Sequence, residues 1–291
     1  MPSNAVDRIP NLTGKIIGDG YQLLELIGSG AGGVVYKAIH LPTARSSQPI
    51  FRAVKVMQKA GLSKRELAAV NQEIQFHLTC ADQPGVVTIH DVCDNKSYFY
   101  LVLDLCDGGD LFGRICDLRA YEGNDTLVRT AFLSLLNAVS GIHSRGIAHR
   151  DLKPENVLVN HDGSRLFLSD FGLATDATKI TIYGWGTGIY MSPEATGKLN
   201  GRVPYCPRTS DVWALGIILV NMITGRNPWM RARHDDPDFK AYVDDPESFM
   251  EALPVSRDIA GVLLRTLVID PRCRISLANL RRAIVDAPTL L

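Results

Sequence analysis

The most informative segment of this sequence is HRDLKPEN at positions 149–156, which is followed by DFG at 170–172 and by SPE at 192–194. Taken singly, each motif is compatible with an ordinary charged surface, because Asp, Glu, Lys and Arg side chains lie mostly in solvent. Three such motifs in this order and at these short separations are not explained by solvated charge. Together they indicate a catalytic centre.

Upstream lies a glycine-rich stretch that fits the pattern GxGxxGxV. Glycines at those positions let backbone N–H groups approach phosphate oxygens without an intervening side chain. The same pattern opens dinucleotide-binding folds, where a helix follows and an acidic residue comes about 20 positions later. Here the next residues, VVYKA at 34–38, indicate a strand. On this motif alone, a phosphate-binding loop and a plain glycine hairpin remain equally open for Gly28, Ser29, Gly30, Ala31, Gly32, Gly33 and Val35.

A lysine and a glutamate follow the glycine-rich stretch. Lys55 lies on a predicted strand, and Glu73 lies on the predicted helix that comes next. A carboxylate on that helix can orient a lysine on the neighbouring strand. An exposed Lys and Glu at this separation have no significance by themselves. The pair therefore counts only in combination with the downstream motifs.

Hydrophobic patterning predicts a sheet followed by helices. From Tyr21 to Met57, short apolar runs are broken by glycines and by a polar stretch, as in an antiparallel sheet with turns. Residues 63–79 predict a helix, because apolar residues recur every three or four positions behind a Ser63 cap. Two lobes that meet near 105–110 are the simplest architecture. Further strands are predicted at 86–92 and 98–105, and helices at about 128–142, 212–223 and 259–267.

Composition excludes several classes of protein. The chain has 291 residues, 46% hydrophobic and 21% charged, which is close to average globular usage. Its 31 basic and 31 acidic residues give zero formal charge, so no global field attracts nucleic acid or an anionic membrane. The first 20 residues lack an apolar signal segment, and the longest apolar stretch, 212–223, is too short to span a bilayer. We expect a soluble monomer.

The six cysteines are scattered, with neither a CxxC pair nor zinc-ligand spacing. Neither a disulfide framework nor a structural metal is therefore predicted. This pattern favours a reducing, intracellular compartment. Cytoplasmic residence is the default expectation, and nuclear residence stays open, although no basic import cluster is evident.

With these motifs the chain resembles a eukaryotic protein kinase from Tyr21 to about Val285. The resemblance implies an α+β, two-lobed protein kinase-like fold, with a small antiparallel β lobe and a larger, mainly α-helical lobe. The implied bounds are an N-terminal extension at 1–20, a kinase domain at 21–285 with lobes at about 21–104 and 109–285, and a short tail at 286–291.

The type of kinase is suggested by further residues. Lys153, two positions after the predicted base, would steady the transferred phosphate, and together with Thr187 it resembles serine/threonine rather than tyrosine kinases. The chain is most similar to fungal kinases that control nutrient sensing, mating and meiosis. That narrower resemblance rests on GRNPW at 225–229, Phe239 with Tyr242, DP at 245–246 and DPRCRIS at 270–276.

The resemblance implies a role for each catalytic residue. Asp151 would accept or orient the proton of the substrate hydroxyl. Asp170 and Asn156 would hold two Mg²⁺ ions, with Mn²⁺ as an alternative, as hard oxygen ligands. Lys55, oriented by Glu73, would hold the α- and β-phosphates of ATP. The implied partners are ATP and protein substrates, with neither nucleic acid nor membrane.

The implied nucleotide site also includes apolar residues and backbone groups. Adenine would lie between Ile27, Val35 and Ala53 on one side and Leu158 on the other. Its edge would bond to the backbone of Asp104 and Cys106, behind Leu103 as gatekeeper, and Asp110 would bind the ribose or a basic substrate residue. Together with the glycine-rich stretch these residues form the predicted ATP site.

Two features of the sequence, the tip of the glycine loop and the activation segment, concern nucleotide binding and the regulation of activity. The tip of the glycine loop, usually aromatic in the family, is Gly32, so we expect a more mobile loop and weaker nucleotide retention. The activation segment, 170–194, spans 25 residues and contains the candidate phosphorylation sites Thr178, Thr181 and Tyr183. Arg150 would pair with a phosphate there. A segment that is permanently active is the competing hypothesis.

The sequence leaves alternatives open for the substrate preference and for the class of function. Asp110 and Glu155 would favour arginines near the acceptor, whereas Asn221 stands where a further carboxylate is frequent in such kinases. A scaffold that has lost phosphate transfer is the alternative to an active enzyme, and it is disfavoured because Lys55, Asp151 and Asp170 are all present. A dinucleotide-dependent enzyme is disfavoured by the strand after the glycines.

Overall fold

The structure is a computed structural model that describes residues 9–30, 32–199 and 201–291. Ala31, one of the predicted ATP-binding residues, lies outside the described residues. The chain divides into two compact units, which we call the β unit and the helical unit. The β unit comprises residues up to 82 together with 87–106, and the helical unit comprises 83–86 and 107–291.

The described part of the β unit contains one six-stranded antiparallel sheet, one α-helix and a short 3-10 helix at Leu41–Thr43. The strands occur in the spatial order β1-β2-β3-β4-β6-β5. Their bounds are Ile16–Ile17 (β1), Tyr21–Gly30 (β2), Gly33–His40 (β3), Phe51–Gln58 (β4), Ile89–Asp94 (β5) and Tyr98–Leu103 (β6), and helix α1 spans Lys64–Cys80. The predicted small antiparallel lobe is thus confirmed. The strand predicted at 86–92 starts three residues later, because Val86 forms a parallel bridge with Leu168 in the helical unit instead.

Helix α1 begins where its sequence predicts. The Ser63 side chain accepts a hydrogen bond from the backbone N–H of Glu66, and the Glu66 carboxylate accepts one from the backbone N–H of Ser63. This reciprocal pair satisfies two otherwise unpaired donors of the first turn. The spacing also predicts that Leu78 ends the apolar stripe of this helix, and this is wrong because Leu78 is exposed, whereas His77 is buried. The imidazole of His77 is accommodated by a 2.7 Å hydrogen bond with the carbonyl of Val87.

The helical unit is built around two long helices. Buried residues recur every three or four positions along α3, as its sequence predicts, and α5 is buried on all sides from Asp211 to Ile223. None of the described helices is long and apolar enough to cross a membrane. The bounds are Leu111–Cys116 (α2), Asp125–Ser144 (α3), Val157–Val159 (β7), Leu166–Leu168 (β8), Pro193–Thr196 (α4), Pro207–Thr224 (α5), Pro237–Asp244 (α6), Pro246–Glu251 (α7), Arg257–Thr266 (α8) and Leu277–Asp286 (α9).

An aromatic cluster fastens the segment after α5 to that helix. Trp229 packs against Trp213 of α5, with ring centroids 5.8 Å apart, and edge-on against Phe239 of α6, at 5.1 Å. Tyr242 contacts Trp229 and donates a 2.7 Å hydrogen bond to the carbonyl of Leu267. These residues include several that carried the narrower resemblance, and their role in the structure is packing.

Residues before Tyr21 pack against the sheet of the β unit. Ile9, Leu12 and Ile17 are buried in the same core cluster as Tyr36. The backbone N–H of Leu12 donates a 3.0 Å hydrogen bond to the Tyr36 hydroxyl. The described part of the predicted N-terminal extension therefore contributes to the hydrophobic core.

We predict that Ile17→Ala lowers the free energy of unfolding of the β unit by about 2–5 kcal/mol, because it removes buried methyl groups and leaves a cavity. Ile16→Ala is the matched control, since Ile16 is 56% exposed whereas its neighbour Ile17 is 5% exposed. The control should change stability by no more than about 0.5 kcal/mol. Urea denaturation followed by circular dichroism measures both. Equal stability of the two variants would contradict the packing role of this segment.

Candidate active site

The glycine loop of the β unit joins β2 to β3. Gly33 has φ +139°, and a Cβ there would clash with the carbonyl oxygen of Val56, so only glycine fits. A Cβ at Gly32 would lie 3.3 Å from the Lys55 Nζ. The loop backbone therefore approaches the lysine closely, and the strand predicted after the glycines is β3.

Lys55 and Glu73 form an ion pair within the β unit. Lys55 lies in β4, opposite Val35 of β3 and Leu101 of β6, and its Nζ is 2.6 Å from the Glu73 Oε1. Both side chains are largely buried, and a charge-assisted hydrogen bond of this length is among the stronger polar contacts in proteins. The ammonium of Lys55 is thereby held in one orientation next to the glycine loop.

The predicted adenine-binding residues of the β unit lie on adjacent strands. Ala53 pairs with Leu103, the predicted gatekeeper, across β4 and β6, and Gly28 pairs with Val35 across β2 and β3. Ile27 remains 46% exposed. These positions provide an apolar surface beside the glycine loop, with Ser29 and Gly30 at the end of β2.

Asp104 and Cys106 occupy the end of the β unit. The backbone N–H of Asp104 donates to the carbonyl of Thr88, and its Oδ1 lies 2.6 Å from the His90 Nε2. Burial by itself would raise the pKa of the Asp104 carboxyl, but hydrogen bonds from His90 and Thr88 outweigh it, so the pKa is lowered. The backbone of this segment is therefore anchored to β5. Cys106 is half-buried.

In the helical unit, Asp151 is the centre of a hydrogen-bond network. Its Oδ2 lies 3.0 Å from the Lys153 Nζ and accepts a 3.1 Å bond from the Asn156 Nδ2. Its Oδ1 accepts bonds from both the backbone N–H and the hydroxyl of Thr187, each 3.0 Å. The Thr187 hydroxyl also accepts a 3.0 Å bond from Lys153. The structure thus brings four residues singled out from the sequence into one contact group.

The backbone next to Asp151 is held in place by hydrogen bonds to Asp211 of α5. This carboxylate is 1% exposed and accepts hydrogen bonds from the backbone N–H groups of His149 (2.9 Å) and Arg150 (2.8 Å). It also bonds to the His143 Nε2 at 2.8 Å. Arg150 has φ +68°, a conformation that non-glycine residues rarely adopt. Several partners thus hold the loop in a strained shape.

Asn156 and Asp170 supply the oxygen donors that an ion would need. The Asn156 Nδ2 donates to both the carbonyl and the carboxylate of Asp151, which fixes the amide and leaves its Oδ1 outside these bonds. Its backbone carbonyl accepts from the N–H and hydroxyl of Ser169, the residue before Asp170. An amide and a carboxylate oxygen on adjacent segments suit Mg²⁺, which takes few protein ligands and completes its shell with water and phosphate. Among the described residues no cluster of three His, Cys, Asp or Glu is present.

Asp110 and Leu158 lie side by side, because a bridge pairs them between the start of α2 and β7. The Asp110 Oδ1 also accepts a 2.8 Å bond from the backbone N–H of Gly113 and so caps α2. The cap holds this carboxylate close to the backbone of its own helix. Glu155, the other residue implicated in binding arginines, is exposed.

The candidate phosphorylation sites differ in accessibility. Thr178 and Thr181 are exposed. The Tyr183 hydroxyl is buried without a partner among the described residues, and its ring packs against Tyr205 at 5.8 Å. Tyr183 is therefore not accessible to a modifying enzyme in this conformation, whereas the two threonines are.

A buried ion pair ends the activation segment. Glu194 accepts two hydrogen bonds from Arg274, of 2.6 and 3.0 Å. The guanidinium also donates to the carbonyl of Thr209 and lies over the ring of Trp213, 5.1 Å from its centroid. These contacts fasten the end of the segment to α5.

Sequence patterns missed some residues that position this site. His143 bonds to Asp211 from the last turn of α3, and no motif marks it, since its partner is 68 residues away. Ile9, Leu12 and Ile17 support the β unit, but their short apolar pattern resembles that of an ordinary terminal segment. Each depends on a distant partner in the chain.

Comparison with known proteins finds relatives over nearly the whole chain. Residues 21–284 match the family described as protein kinase domain. The chain is 36% identical over 298 residues to the negative regulator of sexual conjugation and meiosis of Schizosaccharomyces pombe, covering 96% of this chain and 62% of that protein. It is 33% identical to serine/threonine-protein kinase ksp1 of the same yeast, covering 91% of this chain and 56% of the relative.

A further relative is serine/threonine-protein kinase VHS1 of Saccharomyces cerevisiae, with 35% identity over 73% of this chain and 49% of that protein. The chain thus spans about half the length of the curated relatives it matches. These relatives confirm the resemblance to fungal serine/threonine kinases, and the matched family agrees with the predicted fold class.

We predict that Gly33→Ala lowers the stability of the β unit by at least about 1–3 kcal/mol, because alanine is strained at this φ and its Cβ meets the Val56 carbonyl. Gly30→Ala is the matched control within the same loop, since its φ is ordinary and a Cβ there has no atom within 4 Å. Thermal unfolding of the two variants measures the difference. A Gly33→Ala protein as stable as the control would refute the steric argument.

Proposed function

The chain belongs to the eukaryotic serine/threonine protein kinase family, and we propose that it transfers the γ-phosphate of Mg-ATP to serine and threonine hydroxyls of protein substrates. The observation that carries this proposal is the network around Asp151. A hydroxyl, that of Thr187, lies 3.0 Å from the Asp151 Oδ1 and 3.0 Å from the Lys153 Nζ. An acceptor hydroxyl needs the same two partners, a carboxylate and an ammonium.

Phosphate transfer depends on positioning and charge neutralisation more than on covalent chemistry with the protein. Asp151 would orient the acceptor hydroxyl and take its proton, and Lys153 would neutralise charge on the transferred group. Mg²⁺ held by Asp170 and Asn156 would supply further positive charge at the β- and γ-phosphates. In the β unit, Lys55 would bind the α- and β-phosphates in the orientation that Glu73 imposes.

The structure supports an inactive scaffold and a dinucleotide-dependent enzyme less well than a kinase. A scaffold without activity would not need Lys55 and Glu73 paired at 2.6 Å, or the carboxylate of Asp151 bonded to three neighbouring side chains. A dinucleotide-dependent enzyme requires a helix directly after the glycines, and strand β3 lies there instead.

The state of the cysteines supports an intracellular location for this activity. Within the described part of the chain no two cysteines form a disulfide, and the thiols at positions 116 and 273 are exposed. Exposed thiols persist in a reducing compartment. We propose that the protein acts inside the cell, as a monomer, on protein substrates and without nucleic acid or membrane.

Phosphorylation of the activation segment would regulate this activity. The Nε and Nη2 atoms of Arg150 are buried without a close hydrogen-bond partner among the described residues, and its Nη1 donates to the carbonyl of Leu173. Its charge still acts locally, because it opposes the rise in pKa that burial causes at Tyr205. A phosphate on the segment would satisfy the unpaired donors. Exposure favours Thr181 over Tyr183 as its site.

We predict that Asp151→Asn lowers kcat about 100-fold or more, because general-base catalysis contributes roughly 10²–10⁴. Binding of Mg-ATP should persist, since this residue is not assigned to the nucleotide. Incorporation of labelled phosphate into a generic serine/threonine substrate and into the protein itself measures the rate, and calorimetry measures binding. Asp258→Asn, at an exposed position in α8, is the matched control. A wild-type protein that neither transfers phosphate nor binds nucleotide would favour the scaffold.

We predict that removal of phosphate from Thr181 lowers the transfer rate about tenfold, which corresponds to the loss of one charge-assisted hydrogen bond. The rates of wild-type, phosphatase-treated and Thr181→Ala proteins provide the measurement, and Thr178→Ala is the control for a nearby exposed threonine. Unchanged rates after complete dephosphorylation would show instead that the segment is permanently active.

A further inference from the structure

Helices α3 and α9 enclose a groove on the surface of the helical unit. Two hydrogen bonds join the helices: the Arg281 Nε donates to the Asn137 Oδ1 at 3.0 Å, and the Arg129 Nη1 donates to the carbonyl of Ile284. Arg281 also lines a cavity of about 330 Å³ between the two helices. We call this the α3–α9 groove, formed by Leu136 of α3 and by Leu277, Ala278, Arg281, Arg282 and Val285 of α9.

The apolar part of the α3–α9 groove is open to solvent. Leu136 is fully buried and lies at its base, Leu277 is half-buried, and Val285 is 48% exposed. Apolar side chains that line a concave surface, with a few polar groups among them, are typical of binding sites. The groove thus has the apolar component of a binding site.

Two arginines lie between the apolar ends of the groove. Along α9 the order is Leu277 and Ala278, then Arg281 and Arg282, then Val285, and both arginines are exposed. Within the described ranges neither arginine forms an ion pair, and the Nε bond of Arg281 does not engage its terminal nitrogens. None of the described residues that line the groove carries a carboxylate. The groove therefore has two positive charges that nothing in it neutralises.

A second, larger cavity on the neighbouring face of α9 has a different charge pattern. It measures about 590 Å³ and lies against α8, and Asp258 and Asp286 line it together with Arg265 and Arg282. Its two carboxylates balance its two guanidinium groups. The excess of positive charge is therefore a property of the α3–α9 groove and not of α9 as a whole.

The dimensions of the groove define what it accommodates. Leu277 and Val285 are eight positions apart in α9, which is about 12 Å along a helix. An extended peptide advances about 3.3–3.6 Å per residue, so side chains three or four positions apart cover this distance. The order apolar, basic, apolar is complementary to a ligand with the order apolar, acidic, apolar. A peptide presents a carboxylate at the arginines, whereas an acyl chain would have to pass them.

We propose that the α3–α9 groove binds an extended segment of a protein partner, in which two aliphatic side chains three or four positions apart flank at least one aspartate or glutamate. The aliphatic side chains cover Leu277 and Val285, and the carboxylate pairs with Arg281 and Arg282 through charge-assisted hydrogen bonds. This binding goes beyond the proposed kinase activity and does not depend on it, because no residue of the groove is assigned to phosphate transfer.

The test is fluorescence anisotropy of two labelled peptides that differ only in charge, one with two glutamates between two leucines and one with two lysines there. We expect the wild-type protein to bind the glutamate peptide about tenfold more tightly than the lysine peptide. Arg282→Glu leaves no net charge in the groove and should abolish the preference. Arg281→Glu/Arg282→Glu should reverse it. Arg282→Glu keeps the test valid if the double variant fails to fold, because only Arg281 bonds to Asn137.

Two control variants separate the groove from its surroundings. Arg265→Glu makes the same charge change at an exposed position of the second cavity and should leave the preference as in the wild-type protein. Val285→Ser removes an apolar contact and should weaken the binding of both peptides equally, while the preference is retained. Circular dichroism verifies that each variant keeps the wild-type fold.

Equal binding of the two peptides by the wild-type protein, or a preference that Arg282→Glu leaves unaltered, overturns the proposal. Loss of the preference with Arg265→Glu also overturns it, since the second cavity would then be the site. Saturable binding of dodecanoate in place of either peptide would identify a lipid site instead. If sedimentation shows that the wild-type chain self-associates, and Arg282→Glu dissociates it without changing peptide binding, the groove joins two copies and the proposal is wrong. Because the assay contains no ATP, failure of the proposed kinase activity would not alter its outcome.

Discussion

The buried carboxylate of Asp211 is the contact on which the geometry of the helical unit depends. Burying a charge without partners is costly, and here two backbone N–H groups and the imidazole of His143 provide the compensating bonds. Because Asp211 belongs to α5, which is surrounded by apolar side chains, the carboxylate has no freedom to move away. The loop that carries Asp151 is therefore attached to the most rigid part of its unit. The positive φ of Arg150 is sustained by the same attachment.

In the β unit, a buried ion pair orients the side chain of Lys55. Lys55 is held by Glu73, a residue of α1, and the glycine loop approaches its ammonium. A lysine side chain has several rotatable bonds, so pairing with a largely buried carboxylate restricts it to one orientation. The capping box at Ser63 and the hydrogen bond of His77 fix the helix that presents Glu73. Both units thus use buried charged contacts to orient the groups that would meet phosphate.

The α3–α9 groove has the opposite character. Its frame is rigid, because Arg129 and Arg281 join the two helices, yet its arginines and Val285 are exposed. A rigid frame with exposed apolar and charged groups loses little conformational entropy on binding. Buried charges therefore orient groups within each unit, whereas the charges of this groove face solvent.

Prediction from the sequence succeeded where the signal was local. The Ser63 cap, the stripe along α3 and the apolar stretch 212–223 of α5 all depend on residues within a few turns of one another, and the structure has each of these elements. Prediction failed where a distant partner intervened. Val86, for example, bridges to Leu168 instead of continuing the predicted strand.

The sequence by itself determined the family, the class of fold and the residue types available for phosphate chemistry, since motif spacing and hydrophobic period are properties of the chain. Only the tertiary structure decided that the Tyr183 hydroxyl is buried while Thr181 is exposed, that residues 9–20 complete a core, and that Arg281 bonds to Asn137. Each of these facts depends on contacts between residues far apart in sequence. Such contacts exist only once the core has packed and fixed which side chains meet.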